Sequence, residues 1–143
     1  MSDTLLVLEG IGIPRWSARG LTQTLLPISA AADLQRDIDG VLLDWSHPQF
    51  RKYASKIICT DQRAPAIDDV WPGMQVTVSC VAELCYLNST GGAPSRTVVS
   101  GSERTEGDFV FYRPKLEMMV TAFTTQRDEW AADVQWEMEL EEI

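Results

Sequence analysis

Residues 131–143 read AADVQWEMELEEI, and their alternation restricts the fold more than any other stretch. Val134, Trp136, Met138 and Leu140 interleave with Asp133, Gln135, Glu137, Glu139 and Glu141. Successive side chains of a strand point to opposite faces, so this segment as a strand has one apolar face and one face nearly all carboxylate. Helical spacing would scatter the acids around the axis. The same period runs through Leu116, Met118, Val120 and Ala122, and Pro114 stands at the start of that run, where a missing N–H does least harm. Two such segments in succession imply a long antiparallel pair with one face on a core, as in a sandwich or barrel.

The rest of the chain is punctuated in the same style. Asp39-Gly40 between two apolar segments is a hairpin signal. Pro65, Pro72-Gly73, Gly91-Gly92, Gly101 and Gly107 mark further turns. Strands are expected over 20–28, 34–38, 41–45, 52–60, 75–87, 109–112, 115–125 and 131–142, with one modest helix candidate, SAAADLQ, at 29–35. Residues 88–108, rich in Gly, Ser, Thr and Pro, form the longest structureless stretch and the first candidate for a contact loop. The 143 residues suit one domain able to bury a core. The expectation is a single all-β domain over 1–143: an antiparallel sandwich or barrel of about eight strands, with an extended N-terminal arm over 1–19 and one long loop.

Charge narrows the partners. Twelve Lys and Arg stand against 21 Asp and Glu, a net charge of −9, which argues against the basic patches of nucleic-acid binding. No apolar run approaches the roughly 18–20 residues of a membrane span. The start, MSDTLLVLEGIGIP, lacks the basic segment and cleavage site of a signal peptide. The chain is therefore expected in the cytoplasm or in an assembly built there, with no nucleic-acid or membrane partner. Three cysteines, an odd number, are then expected as reduced thiols.

Motifs for chemistry are sparse. On a continuous strand from Gln75, Cys80 and Cys85 point to opposite faces about 16 Å apart, too far for a disulfide; a bridge from Cys59 to either remains geometrically open. Cys59, Cys80, Cys85 and His47 offer none of the closely spaced pairs of zinc sites. Cys80, between Val78 and Ala82 on its face, reads as core. His47, the single histidine, sits beside Pro48 in a loop, and no nucleophile elbow, P-loop or zincin motif occurs. The reading is a non-enzyme with no cofactor and no metal.

Contacts are the better-supported role. Of five tryptophans, Trp136 and Trp45 are expected as core by alternation. Trp16, in IGIPRWSARG, either anchors an interface or folds back onto its own sheet. Arg51, Lys52, Arg96, Arg104, Arg113 and Lys115 form a basic minority suited to the acid ladder of a neighbouring copy. The candidate interface residues are Arg15, Trp16, Arg19, Arg96, Arg104, Glu137 and Glu139.

Four phrases, RGLTQTLLPI, DGVLLDWSHPQFRKY, ICTDQRAPAIDDVWPGMQVTV and RDEWAADVQWEMELEEI, resemble small β-rich structural proteins of tailed bacteriophage virions, of the tail, baseplate or head–tail connector type. The resemblance covers most of the chain and implies contacts rather than chemistry. It implies a homo-oligomeric virion subunit, assembled in the host cytoplasm, that meets copies of itself and other virion proteins through symmetric contacts. A capsid decoration protein and a receptor- or carbohydrate-binding β module are the alternatives.

Overall fold

The computed structural model describes residues 4–130 and 132–143. Residues 1–3 of the expected arm and Ala131 of the expected last strand lie outside them. The fold is all-β and antiparallel throughout. Twelve strands occur among the described residues rather than about eight, because several expected strands break in two and short ones form in the loops.

One seven-stranded sheet holds the core. Its strands are β1 (Val7–Glu9), β2 (Thr22–Pro27), β5 (Tyr53–Asp61), β6 (Gln75–Ser79), β8 (Thr97–Val98), β11 (Pro114–Arg127) and β12 (Val134–Glu142), in the order β1-β6-β11-β12-β5-β2, with β8 also on β11. A three-stranded sheet carries β7 (Leu84–Leu87), β10 (Phe109–Tyr112) and β9 (Arg104–Glu106), and a separate hairpin is formed by β3 (Leu34–Arg36) and β4 (Leu42–Asp44). The large sheet does not close into a barrel. Its edges are the three-residue β1 and β2, which ends in Pro27; short or proline-bearing edges offer little to a stray strand.

The β11–β12 pair supplies the centre. Val134, Trp136, Met138 and Leu140 are all buried, as the alternation predicts, together with Leu116, Met118 and Val120. Ala122 departs from the expected face. Thr121 is an extra residue between the pairs Val120↔Leu140 and Ala122↔Glu139, and its hydroxyl donates to the Glu139 carbonyl. This bulge moves Ala122 opposite the acidic ladder and turns Phe123, paired with Met138, towards the core.

The expected strand 75–87 is interrupted. Between the pairs Ser79↔Lys115 and Leu84↔Tyr112, one chain has four residues (80–83) and the other two (113–114). Cys80 N–H still donates to Pro114 O, but Val81 and Ala82 give their N–H groups to the Gln23 side-chain oxygen at 2.6 and 3.3 Å. Both chains bend there and continue as β7 and β10 in the smaller sheet. Gln23 also donates to Ser55 Oγ at 3.1 Å, so this side chain ties edge strand β2 to the end of β6 across the sheet.

The expected helix 29–35 is a single 3-10 turn, Ser29–Ala31, followed by β3. The loop 88–108 contains β8 and β9 and is pinned by Asn88 N–H to Asp108 O and by Val99 N–H to Arg113 O. The segment expected as an arm docks on the sheet. β1 pairs with β6, and Leu6, Leu8, Ile11 and Ala18 join the core, so it cannot be removed without opening the apolar interior. Trp136 is fully buried, and its indole N–H donates to Ser17 O at 2.7 Å.

Replacing Trp136 by Phe removes that donor, leaves the Ser17 carbonyl without it and opens a void. A loss of about 2–4 kcal/mol is expected, read as a lower urea midpoint, whereas Trp130→Phe at a 92% exposed position is expected to change stability by less than about 0.5 kcal/mol.

Candidate interaction surface

Three of the expected interface residues come together. Trp16 is 42% exposed and has φ of 62°, a left-handed conformation that costs a bulky side chain about 1–2 kcal/mol. The guanidiniums of Arg15, Arg19 and Arg63 lie 6.0, 5.7 and 5.8 Å from its ring centre, and its carbonyl accepts Arg63 N–H. Arg63 is the member that sequence spacing did not reveal. Arg19 also grips Asp61: backbone N–H and Nε donate to Oδ2 at 2.9 and 3.2 Å, and an Nη donates to Oδ1 at 2.9 Å. These bonds hold the nearly buried Asp61 carboxyl at a pKa of about 2, below the ordinary 3.8. The cluster is thus an aromatic surrounded by cations, with one arm tied to the sheet.

The other expected residues serve their own chain. Arg96 lies beside Glu142 at 2.8 Å, donates to Arg51 O and sits 5.2 Å from the Tyr53 ring, which clips the 88–108 loop to β12. Arg104 pairs with Glu83 and Glu106 and covers the Phe111 ring at 4.4 Å. Glu137 and Glu139 face Lys56 of adjacent β5 at 2.9 and 4.0 Å, and the Glu137 hydrogen bond raises the Lys56 pKa. The acidic ladder is partly neutralised within the chain.

The largest apolar exposure lies elsewhere. β2 and β5 pair up to Pro27↔Tyr53, and the 25 residues 28–52 between these partners form an appendage: the 3-10 turn, the β3–β4 hairpin and a second 3-10 turn, Pro48–Phe50. Hairpin connections usually need two to five residues. No described residue of 28–52 is buried. Leu34, Val41, Leu42, Phe50 and Trp45 are exposed, and Ile38 at the tip is wholly so. Trp45 therefore corrects the expectation of a core residue: the hairpin does not pack on the sheet, so alternation along β4 has no buried side to report.

The hairpin is nonetheless well built. Gly40, at φ of 82°, closes the turn by donating to Asp37 O, and the Asp37 carboxylate accepts the N–H groups of Asp39 and Val41, both at 2.9 Å. Arg36 donates to Gly40 O at 2.8 Å. At the foot, Asp44 accepts from Ser46 Oγ and from the N–H groups of Ser46 and Asp33, with the Ser46 hydroxyl chiefly lowering the Asp44 pKa. His47, the residue on which a nucleophilic enzyme would depend, lies exposed at this foot, 6.4 Å from the Phe50 ring.

No family model, curated protein or solved structure matches this chain. Among the described residues, no group of three His, Cys, Asp or Glu is placed to hold a metal ion, and no helix is long and apolar enough to cross a membrane. Cys59 and Cys80 are buried, and burial pushes both thiols up to about 11; Cys85 is exposed.

Two outcomes are expected. In native buffer a thiol reagent should label one cysteine per chain and Cys85→Ser should abolish that labelling, while denaturant exposes all three. Asp61→Asn should lower stability by about 1–3 kcal/mol near neutral pH. Because the folded-state pKa of Asp61 is depressed, its contribution is present above about 3.8 and is lost as pH falls towards 2. The gap between wild type and variant in denaturation midpoint should therefore close over that window.

Proposed function

We propose that this chain is a non-enzymatic structural subunit of a tailed phage virion, a tail, baseplate or connector component held in place by protein–protein contacts. The appendage 28–52 carries this reading: 25 residues outside the core, with Leu34, Ile38, Val41, Leu42 and Trp45 presented on a pre-formed hairpin and Phe50 on the turn that follows it. A cluster of exposed aliphatic and aromatic side chains is the usual mark of a surface that is covered in use. The resemblance of four phrases to virion proteins supplies the setting, and one of those phrases, DGVLLDWSHPQFRKY, spans the second half of the appendage. The Trp16 cluster, an aromatic among three arginines, is a second contact of the type that anchors interfaces.

The test replaces residues 33–45 by Gly-Ser-Gly. Because no residue of the hairpin belongs to the core cluster, urea unfolding of the isolated protein should be nearly unchanged, while incorporation into purified particles should fall at least about tenfold, as expected when an interface loses its apolar anchors. Incorporation at the wild-type level would overturn the proposal.

A further inference from the structure

The appendage has two chemically opposite ends. At the tip, Asp37 and Asp39 flank the wholly exposed Ile38. At the foot, a hollow of about 300 Å³ has Pro27, Ala31 and Tyr53 as its apolar surface and Arg51, Lys52, Ser95 and Arg96 as its polar one; Arg96 is already paired with Glu142, which leaves Arg51 and Lys52 as the cations facing an incoming acid. An aliphatic side chain between two acids fits a small apolar hollow edged by cations. The tip cannot reach the foot of its own hairpin, which spans about five residues at 3.3 Å, roughly 16 Å. The tip of a second copy can.

Building on the reading that the appendage is a docking element, we infer that its partner is a second copy of this chain, and that two hairpins clasp each other side by side in opposite directions about a two-fold axis. Each tip then lies on the other's foot, Ile38 in the hollow and Asp37 and Asp39 against Arg51 and Lys52. One sequence carries both the acidic, aliphatic tip and the basic foot, so each copy offers what the other receives, which is what a closed two-fold interface requires.

The experiment uses the full chain and reads its mass in solution by sedimentation equilibrium at low salt. Wild type is expected as a dimer whose dissociation constant rises with salt. Asp37→Lys with Asp39→Lys makes tip and foot both basic, and Arg51→Glu with Lys52→Glu makes both acidic; each pair of substitutions should weaken self-association at least about tenfold. Mixed in equal amounts, the two variants should form a mixed dimer, since both contacts are then complementary. Near-UV circular dichroism confirms that each variant keeps the wild-type core. A monomeric wild type, a dimer indifferent to both reversals, or a mixture that stays monomeric overturns the clasp. A mixture that grows into longer species overturns the two-fold geometry. None of these depends on particles: the clasp can fail while deletion of 33–45 still blocks incorporation, and the clasp can hold while that deletion has no effect.

Discussion

Trp136 sets the terms for much of this molecule. Its indole is the largest side chain buried in the core, and a buried N–H needs a partner. No neighbouring strand supplies one; the carbonyl of Ser17 does. That bond fixes the path of the chain just before β2. Ser17 is held inside, Trp16 before it is turned outward with a left-handed backbone, and Arg19 after it arrives on Asp61. A demand created by the central strand pair thus places the aromatic–arginine cluster on the surface, and the positive φ of Trp16 follows from holding its neighbour in the core.

A second constraint comes from leaving the sheet open. An open sheet with one apolar face must be covered, and here the covering is done by residues 4–19 and by the approach of β2 to the end of β6. Gln23 serves that approach with one side chain: its oxygen takes the two N–H groups released where β6 leaves the ladder, and its amide holds Ser55 on the next strand. Once β2 and β5 are fixed in this way, the connection between them is free of any duty to the core. A long excursion from a surface turn costs little loop entropy, and the chain uses this position for its hairpin.

Much of the sheet was legible in the sequence because one-sided burial imposes strict alternation. Val134, Trp136, Met138 and Leu140 could be placed from their spacing, and the Asp39-Gly40 pair marked its hairpin correctly. The sheet change at 80–83 was not legible. VSCVAELCYL reads as unbroken strand because the bend depends on where Gln23, almost sixty residues earlier, puts its oxygen. The bulge at Thr121 was hidden for a similar reason, since two-fold alternation carries no sign of an inserted residue until the partner strand is known. Of the expected contact residues, Arg15, Trp16 and Arg19 do meet, whereas Arg96, Glu137 and Glu139 find partners within the chain. Formal charge in a sequence does not tell a free ion from a paired one.

The appendage was missed as a surface for an instructive reason. At period two Val41, Leu43 and Trp45 share one face of the second strand, and that face reads as interior sequence. That failure is itself the signal. A two-stranded hairpin alone is marginal in water, yet this one is stabilised by polar contacts at both ends: Asp37 caps the tip, Asp44 and Ser46 close the foot, and Arg36 spans the turn. The polar groups build the shape and the apolar groups are left facing out, the reverse of the division of labour in the large sheet. A segment ordered without its apolar side chains loses little conformational freedom when they are covered. Such pre-ordering suits a surface that must bind, and it does nothing for a core to which the segment does not belong.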